Sequence, residues 1–597
     1  MLSVLVDLLL YAAGALVVTL AVRAWRRELS VWALAGYALA AALYVGPALL
    51  TPRFQVPTDV AYQVGPWSPM LDEPLRVRNG LLQDPILQML PFRTLVRESW
   101  LDGDLPLWSH ELATGQPLLG NGQSAALAPF HLMALPVPPL RGMTLAVAWQ
   151  LLLGLLLTHA LVRRVAHGPQ PFDAPPIRWP AGAGAVVGAL GYAFSTFSFA
   201  WAYFPMGMSA MWIPGVLLGL LSLADGERRA FAGLVLCAVG LALSGHPETL
   251  AHTGLAAAAV TLALLVRWRS PVSQERLEEP RKTTRELATL KQARAYSVAP
   301  RNAGRFLLRL AAAAIVSFAL ASPFLLPVLE AADHSQRMVS LREDGDKPEG
   351  INKGSFHPDL LLPAVSPLVW GSPREGNWNG PGNFNEMCGQ YAGLLPLALA
   401  LAGAVIFRGR LLAMLAGGAL GLATATWVRP FIDLMVALPL IGHGAHARLR
   451  LMWILAVAVA GGVALEWLTR REPPAGRDTR LWIRRWQVLA VILAAVALSA
   501  SALPAADADW QRLTWVTALG GALAALVVLA VSRPGNRRRR TLAATAIVAT
   551  AAELTLLGIR YNPAVPAELD LAPPPAVAFL QQELAEEGPF RILGEGY

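Results

Sequence analysis

Residues 143–163 read MTLAVAWQLLLGLLLTHALVR, an almost unbroken apolar run that ends at the basic pair Arg163-Arg164. About twenty apolar residues are what a helix needs to cross the hydrocarbon core of a bilayer. Similar runs recur at 2–22, 31–50, 181–200, 207–223, 229–244, 250–266, 305–329, 391–407, 411–428, 449–467, 486–504, 513–532 and 541–559. The reading is therefore an all-α polytopic membrane protein with about fourteen transmembrane helices. Composition agrees: 55% of the 597 residues are hydrophobic, 15% are charged and the mean hydropathy is +0.46. A soluble chain of this length needs far more charge to cover its surface.

The net charge of +9 does not point to nucleic acid, because the basic residues sit in short loops between apolar runs. Alternating the spans sends Arg23/Arg26/Arg27, Arg163-Arg164, Arg228-Arg229, Arg408/Arg410, Arg470-Arg471, Arg537–Arg540 and the loop 267–305 to one side. The positive-inside rule makes that side cytoplasmic. Both termini and the two longest loops, 51–142 and 330–390, then fall on the opposite, extracytoplasmic side. Residues 1–559 form the membrane domain on this reading, and 560–597 begin an extracytoplasmic segment. The first run, Leu2 to Val22, has no basic n-region or small-residue cleavage site, so it reads as a retained helix and not a signal peptide. Two cysteines, Cys237 and Cys388, predict no disulfide framework.

Within the loops, Ile86 to Trp100 carries apolar residues at near-helical spacing and predicts an interfacial helix. Leu360–Trp370 predicts a short re-entrant or interfacial piece, Gly371–Gly389 an irregular loop, and Phe431–Ile441 a half-helix too short to span.

Candidate chemistry lies on the outer face. Asp84, followed by Pro85, has the spacing of a helix N-cap and also suits a general base for an incoming hydroxyl, two compatible roles. Asp102-Gly103-Asp104 has the Asp-x-Asp form of some divalent-metal sites and also the composition of a plain turn. Gly245-His246-Pro247-Glu248 places a histidine and an acid at a helix break, where ionisable groups are costly unless they serve a ligand or each other. His443-x-x-His446-x-Arg448-x-Arg450 sends two arginines into a span from the side that disfavours cations; phosphate binding or snorkelling explains them, and two histidines alone rarely hold a metal. Arg337 is another outer-face cation. Asn383, Asn385, Glu386 and Tyr391 offer the hydrogen-bonding groups that sugars use.

These pieces resemble a family. Asp84-x-x-x-Gln88-x-x-Pro91-Phe92, Pro106-Leu107-Trp108, Gly115-x-Pro117-Leu118 and Gln123 look like the first outer loop of bacterial YfhO-type membrane proteins. Gly245-His246-Pro247, Leu326-Pro327 with Ser335-x-Arg337, Tyr391-x-Gly393-x-x-Pro396 and Ala447-Arg448-Leu449-Arg450 fit as well, so the resemblance spans about residues 80–597. That family is similar to GT-C glycosyltransferases, polytopic enzymes that take sugar from a polyprenyl-phosphate carrier. The resemblance implies a GT-C-like bundle in the bacterial inner membrane, with Asp84 as the base. It implies Arg448, Arg450 and Arg337 on the carrier phosphate, with Gln88, Trp108, Gln123, His246, Glu248 and Tyr391 lining the pocket. A cell-envelope glycan or polymer is the implied acceptor, and the anomeric carbon inverts. The first span is an extra helix relative to that core, and the chain stops at Tyr597 where the family commonly continues, as a short or truncated member would. Two other readings share the scaffold: a transporter or lipid or polysaccharide flippase, and a non-catalytic envelope-assembly protein. A transporter favours paired broken helices with mid-membrane charges, whereas here polar residues concentrate on one face.

Overall fold

The computed structural model describes residues 2–168, 182–268, 302–335, 354–468 and 536–588, except residues 28, 72, 74, 113, 114, 439, 440, 443 and 570. Among the described residues eight helices are long and apolar enough to cross a membrane: Val4–Trp25, Pro139–His167, Ala183–Ala200, Pro205–Ala224, Pro247–Val266, Ala303–Asp333, His446–Trp467 and Ala543–Tyr561. Four more, Val31–Tyr44, Ala230–Leu243, Leu394–Phe407 and Gly409–Ala425, coincide with expected spans but are shorter. At about 1.5 Å per residue a 14-residue helix rises roughly 21 Å, against a hydrocarbon core of about 30 Å. The expected run of equal crossings thus becomes a mixture of full and short helices among the described residues. In the second span Val45 ends the helix, and Gly46-Pro47 begins a separate short one. The expected spans 486–504 and 513–532, Arg337, His443 and most of the loop 267–305 lie outside the described residues.

The helical expectation needs one amendment. Among the described residues there are two antiparallel pairs of two-residue strands, Arg53–Phe54 with Val565–Pro566 and Trp108–Ser109 with Gln116–Pro117. The loop elements otherwise take short helical forms. Pro85–Met89 is a π-turn that runs into the helix Leu90–Asp102, Pro358–Ala364 is 3-10, and Phe431–Val436 is a six-residue helix.

The helix containing residues 143–163 is the hub: its apolar window is entirely buried, while that of Val4–Trp25 is 28% buried. Trp149 of the hub donates from Nε1 to the Tyr11 carbonyl at 3.1 Å. On another side, the backbones of 183–193 and 450–468 approach so closely that a Cβ on Gly184 would lie 2.1 Å from the Gly462 oxygen. Small residues at such crossings are how helices pack tightly where lipid offers no hydrophobic drive.

Polar contacts sort the loops into two ends. At one end Arg26 pairs with Glu227 (3.1 Å), Arg164 with Asp225, and Arg163 and His167 with Glu466 (3.3 and 3.2 Å). Arg229 also donates to the Ala24 carbonyl there. At the other end the Arg53–Val565 strand pair is joined by Arg78 to the Ala564 carbonyl (2.7 Å), Asn79 to the Tyr561 carbonyl (2.9 Å) and Arg374 to the Arg560 carbonyl (3.0 Å). The first long loop, the 354–390 segment and the segment after Tyr561 therefore share a face, away from the paired basic turns.

Glu553 ties two helices together beneath that face. Its carboxylate accepts the Leu394 amide (3.3 Å) and the Tyr391 hydroxyl. Leu394 opens the helix Leu394–Phe407, whose N-cap is Gly393 and has no side chain to offer, so the cap is supplied from another helix. Glu553→Ala leaves both buried donors without an acceptor and is expected to cost about 2–4 kcal/mol. Thermal unfolding of the detergent-solubilised protein measures it.

Candidate functional site

The helix 230–243 ends at a left-handed Gly245, φ +90°. A Cβ there would sit 2.3 Å from the Gly122 carbonyl oxygen, so only glycine lets the turn Gly122–Ser124 of the first loop rest on this break. Immediately after it come His246 and, in the first turn of the next helix, Glu248. A carboxylate suits that position because the helix amides and dipole point at it.

Arg448 reaches this corner from the 3-10 turn His446–Leu449. Its Nη1 lies 2.5 Å from a Glu248 oxygen and 3.1 Å from His246 Nε2, and its Nε lies 3.2 Å from a Glu386 oxygen. Glu386 stands on the short helix Phe384–Met387, which Asn383 caps by accepting the Asn385 amide at 2.8 Å. The Trp201 ring lies 5.7 Å from the guanidinium, within cation–π range. Arg448 Nη2 makes no hydrogen bond among the described residues. The guanidinium is thus oriented by two acids and a histidine, and one terminal nitrogen remains for a ligand.

His246 faces donors on both ring nitrogens: the Thr249 amide at Nδ1 and Arg448 at Nε2, each 3.1 Å away. The Thr249 hydroxyl, 2.8 Å from Nδ1, accepts from a ring protonated there, which leaves Nε2 to accept from Arg448. Withdrawal from solvent, then the nearby guanidinium, lowers the His246 pKa from 6.5 to about 3. The unfolded chain therefore takes up this proton first, so the ring's contribution to stability is complete above pH 6.5 and is lost as the pH falls toward 3. His246→Gln is expected to flatten thermal stability against pH across that window.

The remaining expected residues separate. Asp84 is exposed, precedes the π-turn and makes no side-chain cap, hydrogen bond or ion pair among the described residues. The capping role is therefore absent. π-turns are rare and recur at functional sites. Gln88 is half-buried on that turn, and Gln123 is exposed on the turn against Gly245. Trp108 is 50% exposed and covers Gly115 across the small strand pair; no contact brings it to Arg448 among the described residues. Arg450 is 1% exposed, with Nε on Gln390 (3.0 Å) and Nη1 on the Ala447 carbonyl (2.9 Å). It braces the 384–390 segment, and its guanidinium is not presented to a phosphate. Tyr391 is fully buried against Glu553 instead of lining an open pocket.

Asp102 and Asp104 are exposed on either side of Gly103, the left-handed cap (φ 86°) that ends the helix 90–102. The Asp104 amide returns to the Ser99 carbonyl at 2.8 Å, so this is a helix-terminating turn. Among the described residues no three His, Cys, Asp or Glu side chains gather as a metal set. His446 lies beside His252, ring centroids 5.8 Å apart and the planes tilted by 51°. Both cysteines are buried and free.

Sequence reasoning missed Trp201, which follows the expected span 181–200 in a short outer-face connection and carries no local sign of a partner. It noted Glu386 as a sugar-type group without its pairing to Arg448, because an ion pair across 62 residues has no local signature.

Comparison with known proteins adds little. No family model matches the chain, so the YfhO-type resemblance rests on its motifs, and no curated protein sequence matches either. Among solved structures the chain is similar to ArnT from Cupriavidus metallidurans in the apo state. The match has 17% identity and a TM-score of 0.32, and covers 80% of this chain and 72% of that one. A superposition that loose carries no argument about activity, and the functional reading stands on the residues.

Proposed function

We propose that this chain is a membrane glycosyltransferase. It moves a sugar from a polyprenyl-phosphate-linked donor to a cell-envelope acceptor on the outer face of the bacterial cytoplasmic membrane, with the basic end of the bundle in the cytoplasm. The observation that supports it is the Arg448 cluster: a guanidinium locked by Glu248, Glu386 and His246, open at Nη2 and backed by Trp201. Carboxylates that accept sugar hydroxyls, a fork that donates to donor oxygens and an aromatic face are the groups that recognise a glycosyl donor. The cluster lies where the first long loop meets the helix break, the face on which Asp84 also belongs.

In this mechanism the acceptor hydroxyl attacks the anomeric carbon as the bond to the phosphate oxygen breaks. Polyprenyl phosphate leaves with the electron pair, Asp84 takes the hydroxyl proton, and the configuration inverts. Arg448 orients the donor, and Arg450 holds the 384–390 segment in place.

The test is transfer from a panel of radiolabelled polyprenyl-phosphate sugars to an envelope acceptor fraction, using the full chain in lipid nanodiscs. Transfer that depends on Arg448 supports the reading. No transfer from any donor overturns it and moves the transporter and scaffold readings ahead.

A further inference from the structure

Arg93 is the least compensated cation among the described residues. It lies on the helix Leu90–Asp102 and is 6% exposed. Its Nη1 donates to the Ser124 carbonyl, while Nε and Nη2 are buried and make no hydrogen bond. No ion pair reaches it among the described residues. Arg26, Arg163, Arg164 and Arg448, which are also largely withdrawn from solvent, each have a carboxylate, and Arg450, which has no ion pair, uses all three guanidinium nitrogens on Gln390, the Ala447 carbonyl and Met387. The Ser124 hydroxyl is likewise buried without a partner. The neighbouring titratable group is His131, whose Nδ1 faces the Ala125 carbonyl at 3.3 Å; burial first, then Arg93, drives its pKa well below the usual histidine value. It therefore stays neutral, and the locality carries one net positive charge.

An isolated buried charge costs several kcal/mol. Leaving two guanidinium donors unused adds to that cost, and a ligand that supplies the missing charge and two acceptors offsets both. The unused edge is Nε–Nη2, the side on which two parallel N–H groups match two oxygens of a phosphoryl group. Arg448 is a weaker phosphate ligand by the same logic, since two carboxylates already neutralise it and would repel an anion.

We propose that Arg93 and Ser124 form a phosphoryl-anion site, distinct from the Arg448 cluster and joined to it through the turn Gly122–Ser124 on Gly245. Under the glycosyltransferase reading, on which the ligand's identity rests, this site takes the carrier phosphate and the Arg448 cluster takes the sugar. The leaving group then departs toward a cation that has no competing carboxylate.

The test is equilibrium binding to the full chain in nanodiscs of three probes: a polyprenyl phosphate, the matching polyprenol and inorganic phosphate. Arg93→Met and Arg93→Lys are compared with wild type, the lysine variant keeping the charge should the methionine variant fold poorly. Wild type is expected to bind polyprenyl phosphate and not polyprenol. Arg93→Met is expected to lose roughly 10- to 100-fold in affinity, with Arg93→Lys between the two. Arg93-dependent binding of inorganic phosphate alone keeps the site and makes its ligand a free phosphate. Unchanged affinity in both variants, equal binding of polyprenol, or no phosphoryl binding by wild type overturns the proposal. Arg93-dependent phosphoryl binding by a protein that transfers no sugar overturns the glycosyltransferase reading and leaves this site standing.

Discussion

Asp84→Asn is expected to reduce transfer about 100- to 10,000-fold, the range by which a positioned general base accelerates a reaction, while thermal stability stays at the wild-type value. The separation of the two readouts follows from the geometry. Asp84 is exposed and caps nothing, so its carboxylate holds up no part of the fold. The asparagine side chain is nearly isosteric and differs only in being unable to take the proton. Transfer and melting temperature measured on the same nanodisc preparation give the result. Equal transfer by wild type and variant would take the base away from Asp84 and pass the role to Glu248 or Glu386, the acids beside Arg448. A parallel loss of stability would mean that Asp84 has structural work the bonding pattern does not show.

Arg448→Met is expected to affect both readouts. Transfer should fall about 100-fold, the usual effect of misplacing a reacting group that a bound cation orients. Stability should fall by about 2–3 kcal/mol, less than for a fully buried pair, because the side chains of Arg448, Glu248 and Glu386 retain 22%, 19% and 20% exposure. The cost arises from what remains: two partly buried acids face one another with the cation between them gone. Adding Glu248→Gln to Arg448→Met removes one of those charges, so the double variant should regain stability without regaining transfer. Recovery of transfer as well would reduce Arg448 to a counter-ion and remove it from donor binding. Additive stability losses would show that the acids do not interact through Arg448.

How much of this was legible beforehand depends on the range of the interaction. Span positions are local, since a run of twenty apolar residues reports its environment by itself. The helix after Asp84 was readable from the spacing of Leu87, Leu90, Leu95 and Val96. The half-helix at Phe431 was readable from its length. The division of loops between two ends was readable because each basic turn carries its own charge, and the Arg26–Glu227 and Arg164–Asp225 pairs place those turns together.

Side-chain roles were much less readable. Arg448 and Arg450 are two residues apart and looked equivalent. Yet one meets Glu248, Glu386 and His246 at a partly open corner, and the other is sealed against Gln390 and the Ala447 carbonyl. Tyr391 looked like a pocket residue and became the partner of Glu553, 162 positions away. Arg93 drew no attention in a helix of mixed polarity, because a missing counter-ion is a property of what surrounds a residue.

From the sequence alone come the membrane class, most span positions, the grouping of loops by face and a set of polar residues in need of a purpose. Those depend on hydrophobic transfer and net loop charge, which accumulate along the chain. The tertiary structure alone decided that the 139–167 helix is the buried hub and Val4–Trp25 peripheral, although both are apolar throughout. It also decided which arginine has carboxylates to neutralise it and which has none. Burial and charge compensation depend on which side chains from distant segments arrive within a few ångströms, and only the packed fold brings them there.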